Sequence, residues 1–226
     1  GYCLNYFGVA REVAALTGKI FKYPDYEANL QNTWGPDSVE EELAVDNREP
    51  ALCLRYSGMV IENVEVAPSP KWLVDRLAAI GLRSVNNIVD VTNFVLMEYG
   101  QPLHAFDKGL LEGSKIVVRR AKKGEVFSSL DGNDLKLNED ALVIADTNKV
   151  VALAGIMGGA NSQVTEATHH IVLESAYFNS TTVRKGSKKY GLRSDASIRF
   201  ERGVDIDRII SAQARAALLI NELAGG

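Results

Sequence analysis

What most constrains this chain is a change of hydrophobic period along its length. From residue 114 onward, short apolar runs are separated by turn residues. Lys115–Ala121, Ala141–Ala145, Val150–Met157 and His170–Glu174 are each of strand length and rich in aliphatic residues. Asp131-Gly132 lies between Phe127–Leu130 and Leu135–Leu137, and that dipeptide supplies the positive φ a hairpin turn needs. Elsewhere the apolar residues change to helical spacing. Val9, Val13 and Leu16 ahead of Gly18, and Leu73, Leu77 and Ile80 ahead of Gly81, mark helices with glycine stops. Residues 180–190 read as basic helical sequence and 206–223 as a terminal amphipathic helix. Two further strands are expected over residues 51–57 and 59–66. Residues 86–99 include another helix, although the β-branched run Ile88–Thr92 leaves helix and strand hard to separate. Residues 19–38 have no sustained period and predict an extended linker. Helices, then strands, then helices, without βαβ alternation, define an α+β fold: a mixed or antiparallel sheet core with flanking helices.

Composition narrows the class further. Hydrophobic residues at 46% and charged residues at 24% suit a folded domain and exclude disorder or a coiled coil for the bulk of the chain. Apolar runs such as Val150–Met157 fall far short of the roughly 20 residues that span a bilayer. Gly1–Phe7 lacks the basic start of a signal peptide, and the missing initiator Met reads as a processed or excised piece. Cys3 and Cys53 are too few for a disulfide framework or a cysteine-rich metal site and suit a reducing compartment, so a cytoplasmic location is expected. The chain carries a net charge of −4, yet residues 180–203 hold seven basic residues (Arg184, Lys185, Lys188, Lys189, Arg193, Arg199, Arg202) and two acids. A basic segment on an acidic body suits a phosphate-contacting surface or a solvated helix face, and charge alone leaves both open.

Few residues offer chemistry. His104 lies in the Gly/Pro-bounded stretch Tyr99–Asp107, where a lone histidine is a structural hydrogen-bonding residue or a catalyst. No spacing matches a zinc site, so no metal is expected. Ala154–Ala160 places glycines directly after an apolar run, where the backbone can approach a ligand or simply turn, and no P-loop Gly-Lys-Ser/Thr follows. Glu174 ends an apolar strand, so its carboxylate is either paired in a polar cavity or at the wet edge of the sheet. Ser194 and Ser197 flank Ala196 among small residues and arginines, a composition suited to gripping a polar ligand.

Taken in order, Asn93-Phe94, Gly100–Asp107, Ala154–Gly159, Leu173-Glu174, Gly191–Ser197 and Phe200–Asp205 resemble the bacterial phenylalanyl-tRNA synthetase β subunit over nearly the whole chain. The resemblance implies a B3/B4-type editing domain over residues 41–226. Residues 1–40 would be a remnant of the B1 domain plus a linker, with Gly8–Leu16 as its motif, so the chain reads as a fragment. It also implies an editing activity: hydrolysis of mischarged Tyr-tRNA(Phe), because a pocket built for phenylalanine rejects an added hydroxyl only about 100-fold. On that resemblance Glu174 accepts the tyrosine phenol and Gly158 lines the same pocket. His104 positions the terminal adenosine or the attacking water, or acts as general base. Ser194 supplies a hydroxyl where threonine is common, Thr92 and Asn93 lie near the amino acid, and Ala196 is a small residue of the pocket wall. Ile198 departs from a common histidine. Arg184, Lys188, Lys189 and Arg193 are expected to contact tRNA(Phe). The implied partners are that tRNA, tyrosine as editing ligand and the α subunit of an α2β2 assembly. No cofactor is expected in this part, since ATP and magnesium belong to the intact synthetase, and no membrane is expected. The rival reading is a non-catalytic tRNA-binding or scaffold module. The helix at residues 8–18, short of its B1 partner strands, is expected to dock its apolar face elsewhere, pair with another chain, or fray.

Overall fold

The computed structural model describes residues 1–22, 24 and 42–226. The linker expected over residues 19–38 falls largely outside the described residues. Strand β10 (Ile171–Phe178) organises the rest. Six of its eight residues are apolar or aromatic and seven are buried, the pattern of a strand covered on both faces. It lies at the centre of an antiparallel three-stranded sheet between β2 (Cys53–Ile61) and β3 (Leu103–Asp107).

Successive side chains of a strand point to opposite faces, so this sheet divides two cores. One face carries Ile171 and Leu173 of β10 and Ala105 of β3, packed with helices α2 (Lys71–Ala79), α3 (Asn87–Tyr99) and α6 (Ile209–Ala224) through Leu73, Leu77, Val91, Val95, Ala216 and Ile220. The other face carries Val172, Ala176 and Phe178 with Phe106, packed against a five-stranded sheet. That second sheet runs β1 (Ala44–Asn47), β4 (Lys115–Arg120), β7 (Leu142–Ala145), β8 (Val150–Leu153), β9 (Met157–Gly158), with β1 and β4 parallel and the remaining neighbours antiparallel. A hairpin of β5 (Val126–Ser128) and β6 (Asp134–Lys136), and helices α4 (Ser180–Tyr190) and α5 (Asp195–Phe200), complete this half; α1 (Tyr6–Thr17) precedes everything. The α+β class and its mixed and antiparallel sheets are as expected.

Several elements differ from the expectation, each for a local reason. The two strands expected over 51–57 and 59–66 are one continuous β2, and Gly58 pairs with Glu174 in mid-strand. A Cβ at Gly58 would lie 2.8 Å from Leu43 Cδ2, so this glycine permits close packing rather than a turn. Residues 62–66 leave the ladder, although Val64 and Val66 stay buried. Residues 86–99 resolve as helix: Asn86 caps it, accepting from Val89 N at 2.9 Å, and Ile88, Val91 and Val95 bury one side. The Val150–Met157 run breaks after Leu153, where Gly155 turns at φ +68° and the chain returns as β9. The Asp131-Gly132 hairpin exists, but its loop is wider than two residues: Ser129 N bonds Asn133 O at 2.9 Å, with Gly132 at φ +84°. Strand β3 had no sequence signal of its own, because its five residues gain their order from pairing with β10 some seventy residues later.

Helix α1 forms as expected, capped by Asn5 and stopped by Gly18 at φ +65°. Its stripe of Val9, Val13 and Leu16 is 48%, 53% and 85% exposed. Phe7 makes the attachment instead, its ring 4.6 Å from that of Tyr99 between centroids.

Candidate functional site

On the face of the three-stranded sheet that meets the second sheet, one row of the ladder reads Gly58, Glu174, His104. Glu174 therefore sits between Val172 and Ala176 in an otherwise apolar layer, with only 8% of its surface exposed. Its Oε2 accepts a 2.6 Å hydrogen bond from the phenol of Tyr56, two residues along β2. At Gly58 itself the absent side chain makes room for Leu43, and the Tyr56 ring passes at ordinary contact distance, 3.9 Å from where a Cβ would stand. Burial raises the Glu174 carboxyl from 4.5 to about 7, opposed by the Tyr56 hydrogen bond. Burial first, then the neighbouring carboxyl, pushes the Tyr56 phenol well above its ordinary value, so it remains a donor at neutral pH.

His104 faces the same layer. Its ring meets Phe106 edge-on at 4.5 Å, and its Nε2 is buried without a hydrogen-bond partner among the described residues. Burial lowers its pKa to about 4, so the imidazole is neutral at pH 7 and one ring nitrogen is an acceptor. Gly158 of β9 closes on this ring from the second sheet. A Cβ there would lie 2.5 Å from His104 Cε1 and 2.8 Å from both His104 Nε2 and Leu130 Cδ1. Leu130 N in turn bonds Gly158 O at 3.0 Å, so the hairpin loop joins the wall. A carboxyl that titrates near neutrality thus stands beside a neutral imidazole with an unsatisfied nitrogen, in a layer that excludes bulk water. Such a pair can accept a hydroxyl proton in a hydrogen bond and orient a water or an alcohol.

The remaining expected residues are placed unevenly. Ser194 is the N-cap of α5: its Oγ accepts from Ser197 N at 3.1 Å and donates to Ile156 O at 2.7 Å, which ties α5 to the turn leading into Gly158. Ala196 is half-buried against the inter-sheet core, and Ile198, two residues on, is half-buried. Thr92 is buried and donates to Val89 O within its own helix at 2.7 Å. Asn93 is half-buried on α3, four residues before Met97, whose sulfur lies 3.0 Å from Arg199 Nη2. The structure thus gathers Glu174, His104 and Gly158, reaches Ser194 through Ile156, and sets Thr92 and Asn93 on a helix whose Val91 and Val95 belong to the other core. Tyr56 and Gly58 were not singled out in the sequence. Their one signal was the alternation of β2, which puts them on one face without saying what faces them.

The basic run divides. Arg184, Lys188 and Lys189 on α4, with Arg193 beyond its Gly191 stop, are exposed. Arg199 is not: it is buried, bonding Asp195 and, through Nη2, Leu4 O at 3.0 Å. Arg202 bonds Ile198 O and Glu201. Among the described residues no group of three or more His, Cys, Asp or Glu side chains could hold a metal ion, and no described helix is long and apolar enough to cross a membrane.

Residues 52–225 match the B3/4 domain family. The phenylalanine–tRNA ligase beta subunit of Carboxydothermus hydrogenoformans is 53% identical over 226 residues, which is all of this chain and 28% of that protein. That of Geobacter metallireducens is 52% identical over 224 residues, or 99% of this chain and 28% of that protein. An N-terminal fragment of the phenylalanyl-tRNA synthetase beta subunit from Pyrococcus horikoshii aligns over 83% of this chain and 57% of its own at a TM-score of 0.46 and 14% identity, a likeness too distant to add weight. The chain thus spans a little over a quarter of the length of these curated relatives. With a family match over most of its length and about half its residues shared with each of two beta subunits, it belongs to the B3/4 domain family.

Proposed function

We propose that the layer between the two sheets is an editing site that hydrolyses Tyr-tRNA(Phe), and that the chain acts as the B3/4 part of a cytoplasmic phenylalanine–tRNA ligase beta subunit. One observation carries this reading: a carboxyl held near its titration point is buried in an apolar layer beside an imidazole with an unsatisfied nitrogen. An apolar slot with one acceptor welcomes a phenol and gains nothing from a bare phenyl ring. A hydrogen bond from phenol to carboxylate contributes on the order of 1.5–3 kcal/mol, which is roughly 10- to 150-fold selectivity. Gly158, without a side chain, lets β9 pack directly on His104 at the pocket wall, and His104 Nε2 holds the attacking water or a ribose hydroxyl. With a pKa of about 4 the imidazole orients water better than it removes its proton. Water adds to the ester carbonyl, the ribose oxygen leaves and takes up the proton, and free tyrosine and uncharged tRNA result, with no covalent intermediate. Ser194 serves by holding α5 against the Ile156–Gly158 turn. Thr92, Asn93 and Ala196 border the amino acid. Arg184, Lys188, Lys189 and Arg193 contact tRNA phosphates, and an α subunit supplies synthesis within an α2β2 assembly.

The deciding measurement is release of tyrosine and of phenylalanine from charged tRNA(Phe) by the chain. Selective tyrosine release that Glu174→Ala abolishes supports the proposal; an unchanged preference in that variant removes Glu174 from recognition. The commitment of the Ser194 and Thr92 hydroxyls to local bonds favours a second reading, a tRNA-binding module without hydrolysis of its own. That reading predicts salt-sensitive tRNA binding and no release of either amino acid.

A further inference from the structure

Glu174 already has a tyrosine phenol bound to it, that of Tyr56 of the same chain. The carboxyl offers two oxygens and about four acceptor positions, and Tyr56 occupies one of them on Oε2. Tyr56 reaches it from β2, two residues from Gly58, the residue directly opposite Glu174 in the ladder. The contact is built into the ladder and not into a mobile loop. We propose that Tyr56 is a positioning residue for ligand recognition: its phenol fixes the Glu174 carboxyl and keeps it an acceptor, so that a remaining acceptor position is presented to the hydroxyl of the bound amino acid.

A buried carboxyl with no donor rotates among rotamers and takes up a proton, and a protonated carboxyl presents an O–H where a ligand phenol needs an acceptor. A fixed donor from the protein counters both effects, favouring the charged form and setting its direction. The other titratable groups facing Glu174 cannot replace it. The Cys53 thiol on β2, pushed up to about 12 by burial and by Glu174 itself, donates to Arg55 O at 3.5 Å, and the His104 imidazole on β3 is neutral at pH 7 and brings no charge to favour the carboxylate. The second sheet meets this row at Gly158, against His104, and among the described residues the side-chain hydrogen bond to Glu174 is that of Tyr56. Tyr56 is thereby the donor that sets the state of the acceptor. This inference rests on the editing reading for the identity of the ligand, but the Tyr56–Glu174 coupling can be tested without any ligand.

The test is Tyr56→Phe in the 226-residue chain, which removes one oxygen and keeps the ring. The carbon-13 signal of the Glu174 carboxyl is followed through a pH titration without tRNA. Its midpoint is expected to rise by roughly one pH unit in the variant; an unmoved midpoint overturns the proposal. Tyrosine and phenylalanine release from charged tRNA(Phe) is then measured from pH 6 to 9.5. The variant is expected to lose roughly tenfold of the tyrosine preference at pH 7 and to regain most of it at high pH, where the carboxyl ionises without help. An undiminished preference at pH 7 overturns the proposal, and so does an equal loss on both substrates at every pH, the mark of a purely structural role. A wild-type chain without tyrosine preference, but with the midpoint moved by Tyr56→Phe, overturns the editing reading and the ligand named here while supporting the Tyr56–Glu174 coupling.

Discussion

The two faces of the three-stranded sheet are built from alternating residues of the same strands, yet they treat polar groups in opposite ways. On the helical face, Ser175 Oγ donates to Ile209 O at 2.9 Å, Ser57 Oγ donates to Gln213 Oε1 at 2.6 Å, and Gln213 Nε2 donates to Leu173 O at 2.7 Å. Ser175 and Gln213 are buried, and these bonds dock α6 onto the sheet. On the other face, among the described residues, Glu174 has one donor and His104 Nε2 has none. Buried polar groups ordinarily find partners; Gln101 Oε1 and Arg199 Nε also lack one among the described residues, and what sets the Glu174–His104 row apart is that its unmet nitrogen lies beside a buried carboxyl.

This contrast breaks most visibly through packing. Leu173→Ala on the helical face removes a fully buried side chain and is expected to cost about 2–5 kcal/mol in urea unfolding, with the tyrosine preference of the surviving folded protein unchanged. A large change in preference would mean that the two faces are energetically coupled. Glu174→Gln comes next and has a pH signature. The folded carboxyl titrates at about 7 and the unfolded one at 4.5, so between these values the native state holds the extra proton. Stability is greatest below 4.5, falls as pH rises to about 7, and is level above. Removing the charge is expected to abolish that fall, worth on the order of 3 kcal/mol at pH 8. Parallel stability profiles for wild type and variant would refute the burial of an ionisable carboxyl here.

Gly158→Ala is expected to destabilise by about 1–3 kcal/mol through overpacking and to reduce tyrosine release at least roughly tenfold, because the new methyl meets His104 and Leu130. Calorimetry and the release assay read the two effects separately. His104→Leu is the mildest change in stability, within about 1 kcal/mol at pH 8, since no hydrogen bond to Nε2 is lost. Its signature is opposite in sign to that of Glu174. The folded imidazole titrates at about 4 against 6.5 unfolded, so wild-type stability falls as pH drops from about 6.5 to about 4, and the variant is expected to lose this slope. A variant that kept it would place the titration on another group.

The sequence showed the two sheets' inner strands and most helices because burial imposes a period: Leu73 and Leu77 on α2, Ile144 on β7 and Val172 on β10 each lie in a core as their spacing required. Period does not say whether a face is covered among the described residues. Val9, Val13 and Leu16 have the spacing of a buried face and are exposed, while Phe7, one position before the expected helix, attaches α1 to Tyr99. Gly58 and the Val150–Met157 run show the converse limit, since a glycine reads alike whether it turns the chain or lets another strand approach.

By itself the sequence determined the α+β class, the hairpin at Asp131-Gly132, and the few residues able to do chemistry, His104, Glu174 and the glycines at 158–159 among them. These follow from local conformational preference and from the rarity of certain side chains. The tertiary structure alone decided that Glu174 and His104 share one row, that the Tyr56 phenol reaches Glu174, and that the Ser194 and Thr92 hydroxyls hold helices in place. It also withdrew Arg199 from the basic surface into a buried contact with Leu4. The physical reason is register: pairing β10 with β2 and β3 brings together residues some seventy and more than a hundred positions apart, and a shift of one residue would turn every one of these groups to the opposite face.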